Sequence, residues 1–140
     1  MFIGVYAHLK QTDELLLKHL FNNIDLSKHI VKISNSQVWK DENGTVTFAE
    51  TNYNGSAFKD ITSTPQHLVM QLNINAYVNE KLDFSIYIYD CYYIEIYCCN
   101  NLLNSFTENI KNFLTFDDYE LIAKDKVKTN NGIGFLKLLE

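Results

Sequence analysis

The sequence predicts an α+β fold: an antiparallel or mixed β-sheet with a central meander and about two main helices packed on one face. Three observations lead there. Along residues 68–78, 84–89 and 93–98 apolar side chains fall on every second position, the period of half-buried strands. Along residues 16–24 and 102–114 they fall three and four apart, which makes one stripe on a helix. The order strand–helix, then several strands, then helix–strand runs without repeat, low-complexity tract or linker through 140 residues, the size of one domain.

Taken in order, Phe2 to Leu9 is apolar on both parities, as in a central strand covered on both sides. Thr12 is a candidate N-cap, with Asp13 and Glu14 in the first turn where the helix dipole favours negative charge. Leu16, Leu17, Leu20, Phe21 and Ile24 follow as one stripe, and Asn22-Asn23 with Asp25 closes a helix of about three turns. Ile30–Ile33 and Val38–Lys40 are short strand candidates separated by a turn at Asn35-Ser36. Asn43-Gly44 supplies the positive φ of a tight turn, so Thr45 to Thr51 reads as the return strand. Asn52 to Pro65, rich in Asn, Gly, Ser and Thr, reads as the longest loop. Asn100 or Asn101 can cap the second helix, whose stripe is Leu102, Leu103, Phe106, Ile110, Phe113 and Leu114. Residues 119–124 suggest another strand, and 133–139 suit either an edge strand or a short helix.

The meander can be registered on paper. Pairing Ile88 with Ile94, Ile86 with Ile96 and Phe84 with Cys98 puts these apolar groups on one face. Ala76, Ile74 and Leu72 then meet Phe84, Ile86 and Ile88. A slip of one residue would oppose Ile86 to Glu95 and turn a core face to water. The matched register leaves a second face of Ser85, Tyr87, Tyr89, Tyr93, Glu95 and Tyr97, flanked by Gln71, Asn73 and Asn75.

Composition bounds the function. Hydrophobic content of 46% and charged content of 21% are ordinary globular values. No run approaches the roughly 20 apolar residues of a membrane span, and the N-terminus lacks the basic and small-residue signature of a signal peptide. The expectation is a cytoplasmic chain. Net charge is −5 and all twelve basic residues are lysine; without arginine, the usual bidentate reader of phosphate and guanine, nucleic acid is not an expected partner. Residues 80–120 hold eight acids against Lys81 and Lys111, and an acidic surface attracts basic partners. Cys91, Cys98 and Cys99 are odd in number, two of them adjacent, which suits free thiols rather than a disulfide framework or zinc. By alternation Cys98 faces the core and Cys99 faces outward.

No nucleophile elbow, phosphate loop, dinucleotide fingerprint or metalloprotease motif is present. His8, His19, His29 and His67 lack a carboxylate at strand or helix spacing, and Gly132-x-Gly134 reads as a flexible turn. No catalytic residue, cofactor or metal is expected. Tyr87, Tyr89, Tyr93 and Tyr97 on one face, with Tyr92 at the turn, provide large amphipathic rings of the kind that recognition surfaces favour. Asp117, Asp118 and Glu120 read as a solvated turn or an acidic contact patch. The expected partner-binding set is therefore Tyr87, Tyr89, Tyr93, Glu95, Tyr97, Asp117, Asp118 and Glu120. Two other classes stay open: a small-molecule module with its pocket on the Asn/Tyr face, and an enzyme using Cys99 or His67.

The segment Tyr89–Cys99, YDCYYIEIYCC, followed by an amphipathic helix and an acidic strand, resembles small bacterial immunity proteins of toxin–immunity systems. The resemblance covers residues 68–124 and carries no catalytic signature. It implies a cytosolic protein that binds a cognate toxin, often a nuclease, and blocks its active site; residue roles are not carried over from it. A nuclease cleft is basic, so an acidic domain suits it as a substrate mimic.

Overall fold

The computed structural model describes residues 1–44, 48–116 and 118–140. Its strands are β1 (Phe2–His8), β2 (Ile30–Trp39), β3 (Asn52–Asn54), β4 (Leu68–Val78), β5 (Lys81–Tyr89), β6 (Tyr93–Cys98) and β7 (Glu120–Ala123). Its α-helices are α1 (Leu16–Leu20), α2 (Gly55–Thr62), α3 (Leu102–Ile110) and α4 (Asn130–Leu138). The strands form one sheet in the order β3-β2-β4-β5-β6-β1-β7, every neighbouring pair antiparallel. The fold is α+β.

The meander has the expected register, with Leu72, Ile74 and Ala76 opposite Ile88, Ile86 and Phe84, and these opposite Ile94, Ile96 and Cys98. Both reversals use positive φ at non-glycine residues, Asn79 and Glu80 in one and Asp90 and Cys91 in the other, as tight hairpin turns require. β1 joins the outer side of β6, so Ala7 and Val5 extend the rows of Ile94 and Ile96. Residues of α1, α2 and α3 bury this aliphatic face in one core. At its centre the rings of Phe21, Phe58, Phe84 and Phe106 meet edge-to-face or tilted, with centroids 5.0 to 6.3 Å apart, the geometry that ring quadrupoles favour.

Several expectations are corrected. The first helix is only Leu16–Leu20, because the chain before it is held at the strand ends. Gln11 Nε2 donates to Val69 O and Cys91 O at 2.7 and 2.8 Å, and Gln11 Oε1 accepts from Val69 N. Asp13 rather than Thr12 ends that segment, its Oδ1 accepting from Leu15 N. The stripe Leu16 to Ile24 is buried all the same. Asn35-Ser36 is a bulge within the continuous β2, with Asn35 at φ 48°. Of the expected return strand, residues 45–47 lie outside the described residues, and the strand that pairs β2 is Asn52–Asn54.

The expected long loop also contains α2. Asn54 Oδ1 accepts from Ala57 N at 2.8 Å, a helix N-cap, and Phe58 and Thr62 are buried on its inner side. The largest correction is α4. Residues 130–138 form a helix, Gly132-x-Gly134 lies inside it, and it packs on the tyrosine side of the sheet against Tyr87 and Tyr97. Helices therefore cover both faces rather than one. Among the described residues, no helix is long and apolar enough to cross a membrane.

Two glycines test the packing. A Cβ on Gly55 would lie 1.7 Å from Leu26 O, a carbonyl already fixed by His29 N at 2.9 Å. Gly55→Ala is expected to lower stability by roughly 4 kcal/mol or more. A Cβ on Gly134 meets nothing within 4 Å, so Gly134→Ala should raise it by about 0.5–1 kcal/mol through helix propensity. Urea denaturation midpoints of the two variants check both signs.

Candidate functional site

The second face is built by parity. Ile94 and Ile96 point into the aliphatic core, so Glu95 between them must point the other way. One row across the sheet reads Ser34, Asn73, Tyr87, Glu95, Tyr6 and Glu120. The next reads Asn75, Ser85, Tyr97, Gly4 and Ile122. Tyr89, Tyr93 and His8 make a third.

The row of Tyr97 is closed by α4. Gly4 leaves room for the Tyr97 ring, whose carbons lie 2.7 Å from where a Gly4 Cβ would be. Gly132 brings the helix down onto the same residue, its hypothetical Cβ 2.7 Å from Tyr97 Oη. Phe135 stacks on the ring with centroids 5.5 Å apart and planes 25° apart. Tyr97 is thus 0% exposed.

Beneath the start of α4 lies the carboxylate of Glu95, 1% exposed. Its Oε1 accepts from Tyr97 Oη and Thr129 Oγ1, both at 2.5 Å. Its Oε2 accepts from Tyr89 Oη at 2.8 Å and Asn131 Nδ2 at 3.0 Å. All four donors are uncharged. Charge-assisted bonds of this number let a buried carboxylate stay in place without a cation. Thr129 has a second duty, accepting from Gly132 N as the N-cap of α4. Burial, and then the bond each donates to Glu95, raise the Tyr89 and Tyr97 phenols above the ordinary range.

The expected contact set therefore divides. Glu95, Tyr97 and Tyr87 are buried and are not contact residues as the chain stands. Tyr89 and Tyr93 remain half-buried, while Asp118 and Glu120 are exposed; Asp117 lies outside the described residues. Sequence reasoning missed Tyr6 and His8, which the pairing of β1 with β6 brings into the open part of the face. There Tyr93 stacks between Tyr89 and Tyr6, at 5.2 and 6.2 Å. His8 sits within 5.0 to 5.5 Å of the rings of Tyr92, Tyr93 and Phe116, and Phe116 is 55% exposed. The alternating placement of Tyr6 and His8 in the first strand was the available signal.

Two clefts share Tyr6 and Glu120. The one beside His8, of about 330 Å³, is walled by Tyr6, His8, Phe116 and Tyr119 with the carboxylates of Asp118 and Glu120, and no lysine. The other, of about 300 Å³, runs from Tyr89 and Tyr97 to Lys126 and Lys128. Burial, then Tyr93, Glu95 and Glu120, raise the Tyr6 phenol.

The enzyme candidates fare differently from one another. Desolvation raises the Cys99 thiol, the opposite of what a nucleophilic thiolate needs, and burial pushes the core-facing Cys98 up to about 12. His67 is exposed. His19 and His29, by contrast, have carboxylates that sequence spacing did not reveal: His19 Nδ1 lies 3.0 Å from Asp13 Oδ2 at the surface, and His29 Nε2 lies 2.7 Å from Asp83 Oδ2. A bulge opposite Ala76–Tyr77 in β4 sets Asp83 there, and Asn100 Nδ2 donates to its other oxygen. His29 Nδ1 is buried and unpartnered, and the pair ties β5 to the residue that precedes β2. Among the described residues no cluster of three metal-ligating side chains occurs.

Glu95→Gln turns one acceptor into a donor facing donors. Stability should fall by about 1–3 kcal/mol, and amide hydrogen exchange should quicken selectively across residues 130–138. The raised Tyr89 and Tyr97 phenols set a pH dependence as well. Their contribution is whole below the unfolded phenol value of about 10 and declines as pH rises beyond it. Urea midpoints should drop on the alkaline side, with the phenolates of Tyr89 and Tyr97 the last to appear. No family model, curated protein or solved structure matches this chain.

Proposed function

We propose that this protein is a bacterial immunity protein that acts in the cytoplasm, binding a basic protein toxin, in the first instance a nuclease, and blocking it without catalysis of its own. The observation that carries the reading is the cleft beside His8, walled among the described residues by four aromatic side chains and two carboxylates, with no lysine. Such walls complement a lysine or arginine side chain, the ring faces through cation–π attraction and the carboxylates through charge. The stacked Tyr6, Tyr89 and Tyr93 beside it offer rigid rings of the kind that dominate binding energy at interfaces. The resemblance of the Tyr89–Cys99 segment to immunity proteins supplies the class of partner.

The contact surface in this reading is Tyr6, His8, Tyr89, Tyr92, Tyr93, Phe116, Asp118 and Glu120. A second reading draws on the adjoining cleft. Its volume of about 300 Å³ is at the lower bound of small-molecule sites, and Glu120 opposite Lys126 and Lys128 would suit a ligand carrying both charges.

Co-expression with the toxin encoded beside this gene should restore growth, and Asp118→Lys with Glu120→Lys should abolish that protection while leaving the urea midpoint of the monomer, read at low protein concentration, unchanged. Association measured at low salt should slow by roughly tenfold or more, since steering by exposed charge acts on the on-rate. Undiminished protection by the double reversal would overturn the assignment of this surface.

A further inference from the structure

We propose that two copies of this chain join through the free edges of β7, antiparallel across a two-fold axis at Ile122, so that one sheet runs on into the other. β7 pairs with β1 on one side and ends the sheet on the other. Among the described residues, its backbone makes no hydrogen bond beyond that ladder. An unpaired edge is a template for another strand, and proteins ordinarily blunt it with inward charge, proline or a covering element. Here the strand runs Glu120 to Ala123, and after Glu120 it is apolar, Leu121-Ile122-Ala123, with Leu121 37% exposed. Phe2, 53% exposed, lines a cleft of about 260 Å³ with Leu121, Met1 and Leu103. The opposite edge, Asn52–Asn54, is polar, three residues long and continuous with α2, and so is a poorer template.

The sequence of the edge is self-complementary in one register. With Ile122 opposite its own copy, Leu121 meets Ala123, and Glu120 comes opposite Lys124, the first residue of the 3-10 turn that follows the extended Ala123; symmetry repeats each pair. Two opposite-charge pairs then bracket an apolar centre, and cross-strand pairs of both kinds are stabilising. Centring on Leu121 would oppose Glu120 to Ile122, and centring on Glu120 would set like charges face to face. A two-fold axis normal to the sheet also keeps the α1–α3 layers of both copies on the same side. This assembly does not rest on the toxin reading.

Sedimentation of the full chain should give twice the monomer mass at high concentration. Lys124→Glu should weaken dimerisation by roughly tenfold or more, and the swap Glu120→Lys with Lys124→Glu should restore it. For the register, single cysteines are placed in a Cys91→Ser, Cys99→Ser background. Ile122→Cys faces its own copy at about 4.5–5.5 Å between Cα atoms, within disulfide reach, and should cross-link on mild oxidation. Leu121→Cys, opposite Ala123, should not. A monomer at every concentration, failure of the swap to restore association, or equal cross-linking at both positions would each overturn the proposal.

Discussion

Side-chain alternation along β4, β5, β6 and β1 is the constraint from which the rest follows. It commits Ile94 and Ile96 to the aliphatic core and thereby commits Glu95 to the other side of the sheet. A carboxylate in that position must keep water or find donors, because desolvating it alone costs several kcal/mol. Two donors come from the sheet itself, Tyr89 and Tyr97, and two from the start of α4, Thr129 and Asn131. The core pattern of three strands thus creates the polar site on which the last helix is seated. Gly4 and Gly132 complete the fit by leaving space above and below one ring.

The parts of the fold legible in the sequence are those set by local periodicity. The meander, its register, α3 and β7 were each written in the spacing of apolar residues and in turn chemistry. The misreadings have a common cause, which is that tertiary contacts decide between local options. Asn35-Ser36 looks like a turn, yet pairing with β4 on both sides keeps it in one bulged strand. Gly55 and Ser56 look like loop residues, yet Asn54 caps them into a helix that Phe58 anchors. Phe135 and Leu136 show that the segment has an apolar side, but not which face of the sheet it covers. The His29–Asp83 pair joins residues 54 positions apart through a bulge, and bulges leave little trace in composition.

The candidate site was legible in kind and not in extent. Tyrosines do share a face, but α4 divides that face into a closed half and an open half. The acidity of residues 80–120 is likewise divided. Asp83 pairs with His29 and Glu108 with Lys111, Glu95 is buried, and Glu80 lines a separate cleft with Ile30 and Lys32. Among the described residues, Asp118 and Glu120 line the cleft of the aromatic cluster. A net charge summed over sequence therefore overstates the charge at any one place, and the surface chemistry here is that of rings edged by two carboxylates.

The seating of α4 on Glu95 has a consequence for synthesis. Every strand of the sheet except β7 precedes residue 99, whereas the caps for Glu95 arrive with Thr129 and Asn131. Until that later stretch leaves the ribosome tunnel, the emerged sheet carries a wet carboxylate and two bare rings.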